Sequence, residues 1–324
     1  MRIKKALLYY NVFLDLGLDV KAGEIIMSYL FLTIALLSGA TKGYFGKKTS
    51  GLITNTHDSV YISTIRFIIC VVISLVICLF DGGLSLAPSG LLICGLSGIS
   101  QALFVCMWLL AVHSGAYMMV EVFLTVGIII PTVLCNIFFK ESISVYQWCG
   151  FAVLIAAAYI MCTYNNSIKS KISVKSYLVL LICGIANGFV DFAQKLFVKT
   201  QTEYTISVFN LYTYTFAALL LALIFIFEKG FFKKTLSTNC NIKSFGIYVF
   251  AMAVCLFLYS YFKTLAGKSI PAIIMYPVCQ GVSMILSALM ANFIFKERIN
   301  KQGIMGMLLA FISLMIITLS GLFV

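Results

Sequence analysis

Ten long apolar runs alternate with short polar stretches along the chain, near residues 25–41, 64–80, 89–112, 116–139, 146–163, 176–198, 206–227, 244–265, 272–295 and 303–323. An α-helix needs roughly 20 such residues to cross the hydrocarbon core of a bilayer. Barrel strands need only about 9–11 residues of alternating polarity, so these runs are too long for them. The pattern predicts an all-α integral membrane protein with ten transmembrane helices. The longest connections are 42–63, 164–175 and 228–243. The others are short, which predicts antiparallel neighbours.

Two of the runs end in nearly the same words. Phe139-Lys140-Glu141-Ser142-Ile143 and Phe295-Lys296-Glu297-Arg298-Ile299 lie 156 residues apart, and Asn136 and Gly150 fall on Asn292 and Gly306 at the same offset. Tyr29-Leu30 followed by Gly39 matches Tyr177-Leu178 followed by Gly188. The chain therefore divides into a tail (1–26), a first five-helix repeat (27–163), a polar and basic linker (164–175) and a second five-helix repeat (176–324). Five is odd, so the repeats are expected to sit inverted relative to each other. Many secondary transporters are built this way, with the substrate site at the repeat interface.

Composition removes the alternatives to a membrane chain. It is 62% hydrophobic and 10% charged, with a mean hydropathy of +1.06, against about 25% charged residues in soluble domains. The net charge of +12 comes from Lys and Arg placed mostly between apolar runs. Membrane anchoring explains them, and no nucleic-acid partner is expected. Nine of the 23 Lys and Arg residues fall on the side of the termini and fourteen on the other, which leans toward external termini. Of eleven cysteines only Cys240 lies in a loop. No CxxC occurs, and the two histidines are His57 and His113. Cysteine packing is the expectation, with no metal and no cofactor. Asp15, Asp19, Lys21 and Glu24 interrupt residues 1–24, so no secretory signal is read there.

At the level of motifs, the chain resembles the EamA-like, ten-helix branch of the drug/metabolite transporter (DMT) superfamily. Arg66-Phe67 opens the second run. The links Leu110-Ala111-Val112-His113-Ser114-Gly115-Ala116 and Phe262 to Ala272 are similar to the family's Ala-Leu-x-x-x-x-Ala link. The Lys-Glu-x-Ile turns at Lys140 and Lys296 resemble its Gly/Lys-Glu turn, and Tyr276-Pro277 sits where a proline is common. Glu121-Val122 departs from the usual Glu-Pro. The resemblance implies a central cavity walled by helices one to four and six to nine, peripheral helices five and ten, cytoplasmic termini and a cell-membrane location.

Ionisable residues inside a span usually face a cavity or a partner. Asn187, Asp191 and Lys195 recur every four residues and so share a helix face about 12 Å long. Asp191 is the foremost candidate for substrate binding or coupling. The structural alternative is an Asp191–Lys195 pair that hides both charges. Tyr117, Glu121 and Thr125 form a second stripe. Ser97, Gln101 and Trp108 stand near one face of the third run. Tyr276, Gln280, Ser283 and Ser287 stand on the ninth. Amides and hydroxyls there line a cavity or join helices. Tyr259, Tyr261, Trp108 and Tyr117 offer aromatic walls to a cation or planar ligand. Ser38, Gly39, Gly43, Gly184 and Gly188 permit close helix approach. Arg66 reads as an anchor.

These features favour a secondary carrier of a small-molecule solute in the lipid bilayer. Protons are the candidate coupling ion through Asp191 or Glu121, and an amine, amino acid or other zwitterion is the favoured cargo. No GxxxxGK[ST] occurs to support ATP drive. The competing reading is a membrane enzyme acting on a lipid or isoprenoid, and the chain has none of HxxxH, DxxD or HExxH for it. A receptor or accessory subunit would share the fold. The oligomeric state is open between monomer and homodimer.

Overall fold

The computed structural model describes residues 20–51, 53, 56–81, 83–114, 117–166, 174–227, 242–296 and 301–322, and the described residues contain helices and no strands. The helices are α1 (Val20–Ser50), α2 (Thr56–Asp81), α3 (Pro88–Ser114), α4 (Tyr117–Val126), α5 (Ile129–Phe139), α6 (Val145–Asn166), α7 (Val174–Thr200), α8 (Ile206–Phe227), α9 (Ile242–Ala266), α10 (Ala272–Leu289) and α11 (Lys301–Leu322). Among the described residues nine helical stretches are long and apolar enough to cross a membrane, and Val145–Ile160 adds a shorter one. Leu79, Phe80, Leu92, Phe227 and Phe293 turn outward, exposed. In water such a belt would be a liability, and against acyl chains it is the expected outer surface.

Three boundaries differ from the hydropathy reading. The polar stretch 42–63 is mostly helix: α1 runs on to Ser50 and α2 starts at Thr56. Lys42 therefore lies within a helix, and Asp58, Ser59, Ser63 and Arg66 are buried in the bundle. Hydropathy cannot separate a polar loop from a polar helix face turned inward. At the other end α1 begins at Val20, inside the stretch read as a tail, and residues 1–19 lie outside the described ones. The expected linker shortens, because α6 continues to Asn166 and α7 begins at Val174, while 167–173 lie outside the described residues.

The fourth span, expected as one helix over 116–139, breaks into α4 and α5 at Gly127 and Ile128. Pro131 has no N–H to give to the carbonyl of Gly127, and its ring crowds that carbonyl. The backbone tightens instead: Gly127 N–H donates to Leu124 O (3.0 Å) and Ile130 N–H to Gly127 O (3.2 Å). The break meets α7 backbone to backbone. A Cβ on Gly127 would stand 2.2 Å from Gly184 O, and one on Gly188 would stand 2.4 Å from Gly127 O. Because backbone rather than a flexible side chain blocks the space, Gly127→Ala is expected to destabilise the protein by about 1–3 kcal/mol. Thermal unfolding of the purified variant measures it, and an unchanged midpoint would mean that α4–α5 and α7 are not in this register.

The duplicated motif has a structural meaning at both copies. Lys140 and Lys296 are the only non-glycine residues with positive φ among those described, at 54° and 52°. Lys140 ends α5 in the left-handed conformation, and Asn136 Nδ2 reaches over the turn to donate to Glu141 O at 2.7 Å. Asn292, its counterpart, lies in a π-turn over Met290–Ile294 that follows α10. Glu297 and Arg298 lie outside the described residues.

Packing follows the same two-fold logic. The most extensive contacts pair α1 with α9, α3 with α7, α2 with α8, and α6 with α11. Exchanging the halves maps α1–α9 onto α7–α3, and each of the other two pairs onto itself. The α6–α11 pair is closed by Ser313 Oγ–H donating to Gly150 O (2.6 Å) and Gln147 Nε2 donating to Ile317 O (3.3 Å).

Candidate functional site

The glycine-mediated approach of α4–α5 to α7 sets Glu121 and Asn187 beside one small cavity at the junction of the halves. α1 contributes Gly39, Lys42 and Gly43 to its wall, α3 Phe104 and Trp108, α4 Glu121, α7 Asn187, α9 Tyr259, and α10 Gln280, Ser283 and Ser287. The space left for the centres of water molecules is about 40 Å³. One water needs roughly 10–15 Å³ on that measure, so the cavity is closed down rather than open to a solute-sized guest.

Lys42 is the cation of this cavity. Its Nζ lies 4.5 Å from the Tyr259 ring centroid and 5.6 Å from that of Phe104, and it makes no hydrogen bond among the described residues. Small neighbours at Gly39 and Gly43 leave it room. A Cβ on Gly39 would meet the Tyr259 ring at 3.0 Å, and one on Gly46 the Trp108 ring at 2.5 Å. Glu121, 7% exposed, is the opposing carboxylate, and its charge acts on Lys42. Ser287 stands against it. Asn187 Nδ2 is buried without a hydrogen-bond partner among the described residues.

Behind the Tyr259 ring lies a second pair. Asp191 and Lys263 are buried and joined at 2.6 Å from Lys263 Nζ to Asp191 Oδ1. Lys263 also donates to Tyr259 Oη at 3.1 Å. Tyr276 Oη–H donates to the Asp191 carbonyl at 2.6 Å, while Asp191 Oδ2 has no hydrogen-bond partner among the described residues. Tyr259 is thus flanked by two ammonium groups, with Lys263 Nζ 5.1 Å from its centroid. The charges of Arg66, Lys263, Glu121 and Asp191 all act on Lys42. This set holds three cations against two anions.

Of the residues expected from sequence, Glu121, Asn187, Gln280 and Trp108 line the cavity, and Asp191 and Tyr276 stand directly behind it. Lys195 does not join them. Its Nζ turns toward the end of α9 and donates to Gly267 O and Ile270 O, both at 2.8 Å, where helix-terminal carbonyls need donors. The alternative Asp191–Lys195 pair is therefore not formed. Gln101 is buried on α3 away from the cavity wall. Tyr117 is the first residue of α4, and its side chain lies outside the described residues. Sequence reading missed Lys42 and Lys263 by treating both as flanking charges. The available signals were the Gly39–Gly43 setting of Lys42 and the four-residue step from Tyr259 to Lys263. Arg66 is no interfacial anchor, since it is 2% exposed in the middle of α2.

A bundle of membrane-length helices that folds its charges inward around a cavity between two similar halves defines a multi-pass integral membrane protein. Residues 174–319, within the second half of the chain, match the EamA-like transporter family, a drug/metabolite transporter family. One solved crystal structure covers 91% of this chain and 97% of its own length, with a TM-score of 0.61 at 14% identity. That likeness shows a shared fold across both halves and nothing about substrate. No curated protein matches the chain significantly.

Proposed function

We propose that this protein is a secondary transporter of the cell membrane that moves a small zwitterionic solute of the amino-acid class by alternating access. Two inverted repeats, 27–163 and 176–324, would rock around the cavity between them. The observation that carries the reading is Lys42: an ammonium on the wall of a central cavity, without a hydrogen bond among the described residues, facing Glu121 across the same space. Lys42 receives the solute carboxylate and Glu121 its amine, while Trp108, Phe104 and Tyr259 cover the apolar part. Gln280 and Asn187 supply hydrogen bonds that a desolvated polar guest requires. The small volume of the cavity is that of an occluded form between two open ones.

Proton coupling follows if a proton on Glu121 and the amine of the solute exclude each other, because both satisfy the same carboxylate. The test is counterflow in proteoliposomes. With unlabelled neutral amino acid inside, labelled amino acid outside is expected to accumulate transiently, and uptake against a gradient is expected to fall when the pH difference is collapsed. Absence of counterflow with neutral, basic and acidic amino acids alike would overturn the substrate class. Counterflow without any response to the pH difference would remove the coupling step.

A further inference from the structure

One deeply buried charge takes no part in the cavity wall. Arg66 lies 2% exposed on α2, and its Nε and Nη2 have no hydrogen-bond partner among the described residues. A guanidinium stays protonated throughout the physiological range, so it cannot escape the cost of burial by shedding its charge as an amine can. No carboxylate pairs with it among the described residues, and Lys42, whose charge it feels, has the same sign.

Two more donors share its surroundings. Ser63 stands one helical turn before Arg66 on the same face, and its Oγ is buried with only the weakly accepting Cys106 thiol beside it. Tyr214 reaches in from α8. Its Oη is likewise buried, with the Ser260 hydroxyl as a neutral neighbour, and it is close enough to Arg66 for the two to interact electrostatically. The ring of Phe67 holds both in place, with its centroid 6.0 Å from that of Tyr214 and 5.8 Å from the guanidinium carbon. The neutral groups nearby offer weak or partly used acceptors and cannot cancel the charge. The Ser260 hydroxyl accepts from Gln194 Nε2 and donates to Asn210 Oδ1, each at 3.1 Å, and Cys70 Sγ–H donates to Ala253 O at 3.4 Å.

The seam between α2 and α8 thus holds three N–H donors on two nitrogens, two O–H donors, one permanent positive charge and no carboxylate among the described residues. A water molecule accepts two hydrogen bonds and must still place its own two hydrogens. A small anion accepts from each of these groups and cancels the charge. We propose that Arg66, Tyr214 and Ser63 form a buried site for a small monovalent anion of the chloride class, separate from the central cavity. None of the three lines that cavity. Because α2 belongs to the first half and α8 to the second, the anion joins the halves and stabilises the closed arrangement of this pair.

The test reads thermal unfolding of the purified full-length protein, without solute, in sodium chloride against sodium gluconate at equal ionic strength. Chloride is expected to raise the midpoint saturably, by about 3 °C at ten times its dissociation constant. Arg66→Gln should abolish the response and Tyr214→Phe should weaken it. The cavity variant Lys42→Met should keep it, so the outcome does not depend on the transport reading. Should Arg66→Gln fail to fold, Tyr214→Phe combined with Ser63→Ala carries the same expectation. Identical midpoints in the two salts for the wild-type protein would overturn the proposal. So would an undiminished chloride response in both Arg66→Gln and Tyr214→Phe, or a response lost in Lys42→Met and retained in Arg66→Gln.

Discussion

Asp191→Asn is expected to lose about 3–5 kcal/mol of stability and all active uptake. The stability loss follows from the partner, not from Asp191 alone: Lys263 is fully buried, and removing its carboxylate leaves an uncompensated ammonium in the bundle. Asn is nearly isosteric, so packing against α9 is kept and the charge is the variable. Replacing both members of such a pair with neutral residues is often neutral or stabilising, and Asp191→Asn with Lys263→Met is therefore expected to recover the unfolding midpoint. Uptake then separates two roles. If Asp191 takes part in coupling or solute binding, the refolded double variant stays inactive in proteoliposomes. If the pair only ties α7 to α9, activity returns with stability, and Glu121 remains the acidic group to pursue.

The spans were legible because hydrophobic burial in a bilayer acts on every residue of a helix face, and ten apolar runs survive averaging over a window. The duplicated turn was legible for a local reason. A left-handed lysine, found at both Lys140 and Lys296, is a short-range arrangement that leaves similar words in both halves, and at the first copy Asn136 caps the turn. What averaging hides is the polar helix face that turns inward. Lys42, Lys47 and Lys48 on α1, and His57, Asp58 and Arg66 on α2, depress hydropathy just as a loop would. The reading therefore placed a loop where two helices continue.

The site was half legible for a related reason. A carboxylate inside an apolar run stands out, so Asp191 and Glu121 were found. Their cations were not, because a lysine near the end of a run has an easy alternative explanation as an interfacial anchor. The four-residue step from Asp191 to Lys195 suggested a pair within one helix. Tertiary packing chose otherwise: Lys263 comes from α9, 72 residues along, and Lys195 serves the carbonyls that α9 leaves unpaired at its end. Periodicity reports which residues share a helix face and is silent about which face of another helix they meet.

Lys42→Met makes the complementary prediction, in which function is lost and stability is kept. Lys42 Nζ makes no hydrogen bond among the described residues, and the charge it feels most from outside its own pair is the like charge of Arg66. Removing it loses the approach to the Tyr259 and Phe104 rings and the attraction of Glu121, and it relieves the repulsion of Arg66, which acts on Lys42 more strongly than Glu121 does. The unfolding midpoint should therefore stay within about 1 °C of wild type or rise. A charge-assisted hydrogen bond to a solute carboxylate is worth about 1.5–3 kcal/mol, so kcat/KM for a zwitterionic solute should fall by about 10- to 150-fold. Uptake of the corresponding amine, which has no carboxylate to place there, should be unchanged or improved. Lys42→Arg keeps the charge and should lose less than Lys42→Met. Wild-type kcat/KM in Lys42→Met would remove this residue from solute recognition. A drop in stability like that of Asp191→Asn would assign it to the scaffold instead, because a cation held in place by the fold cannot be deleted without cost, whereas one held ready for a guest can.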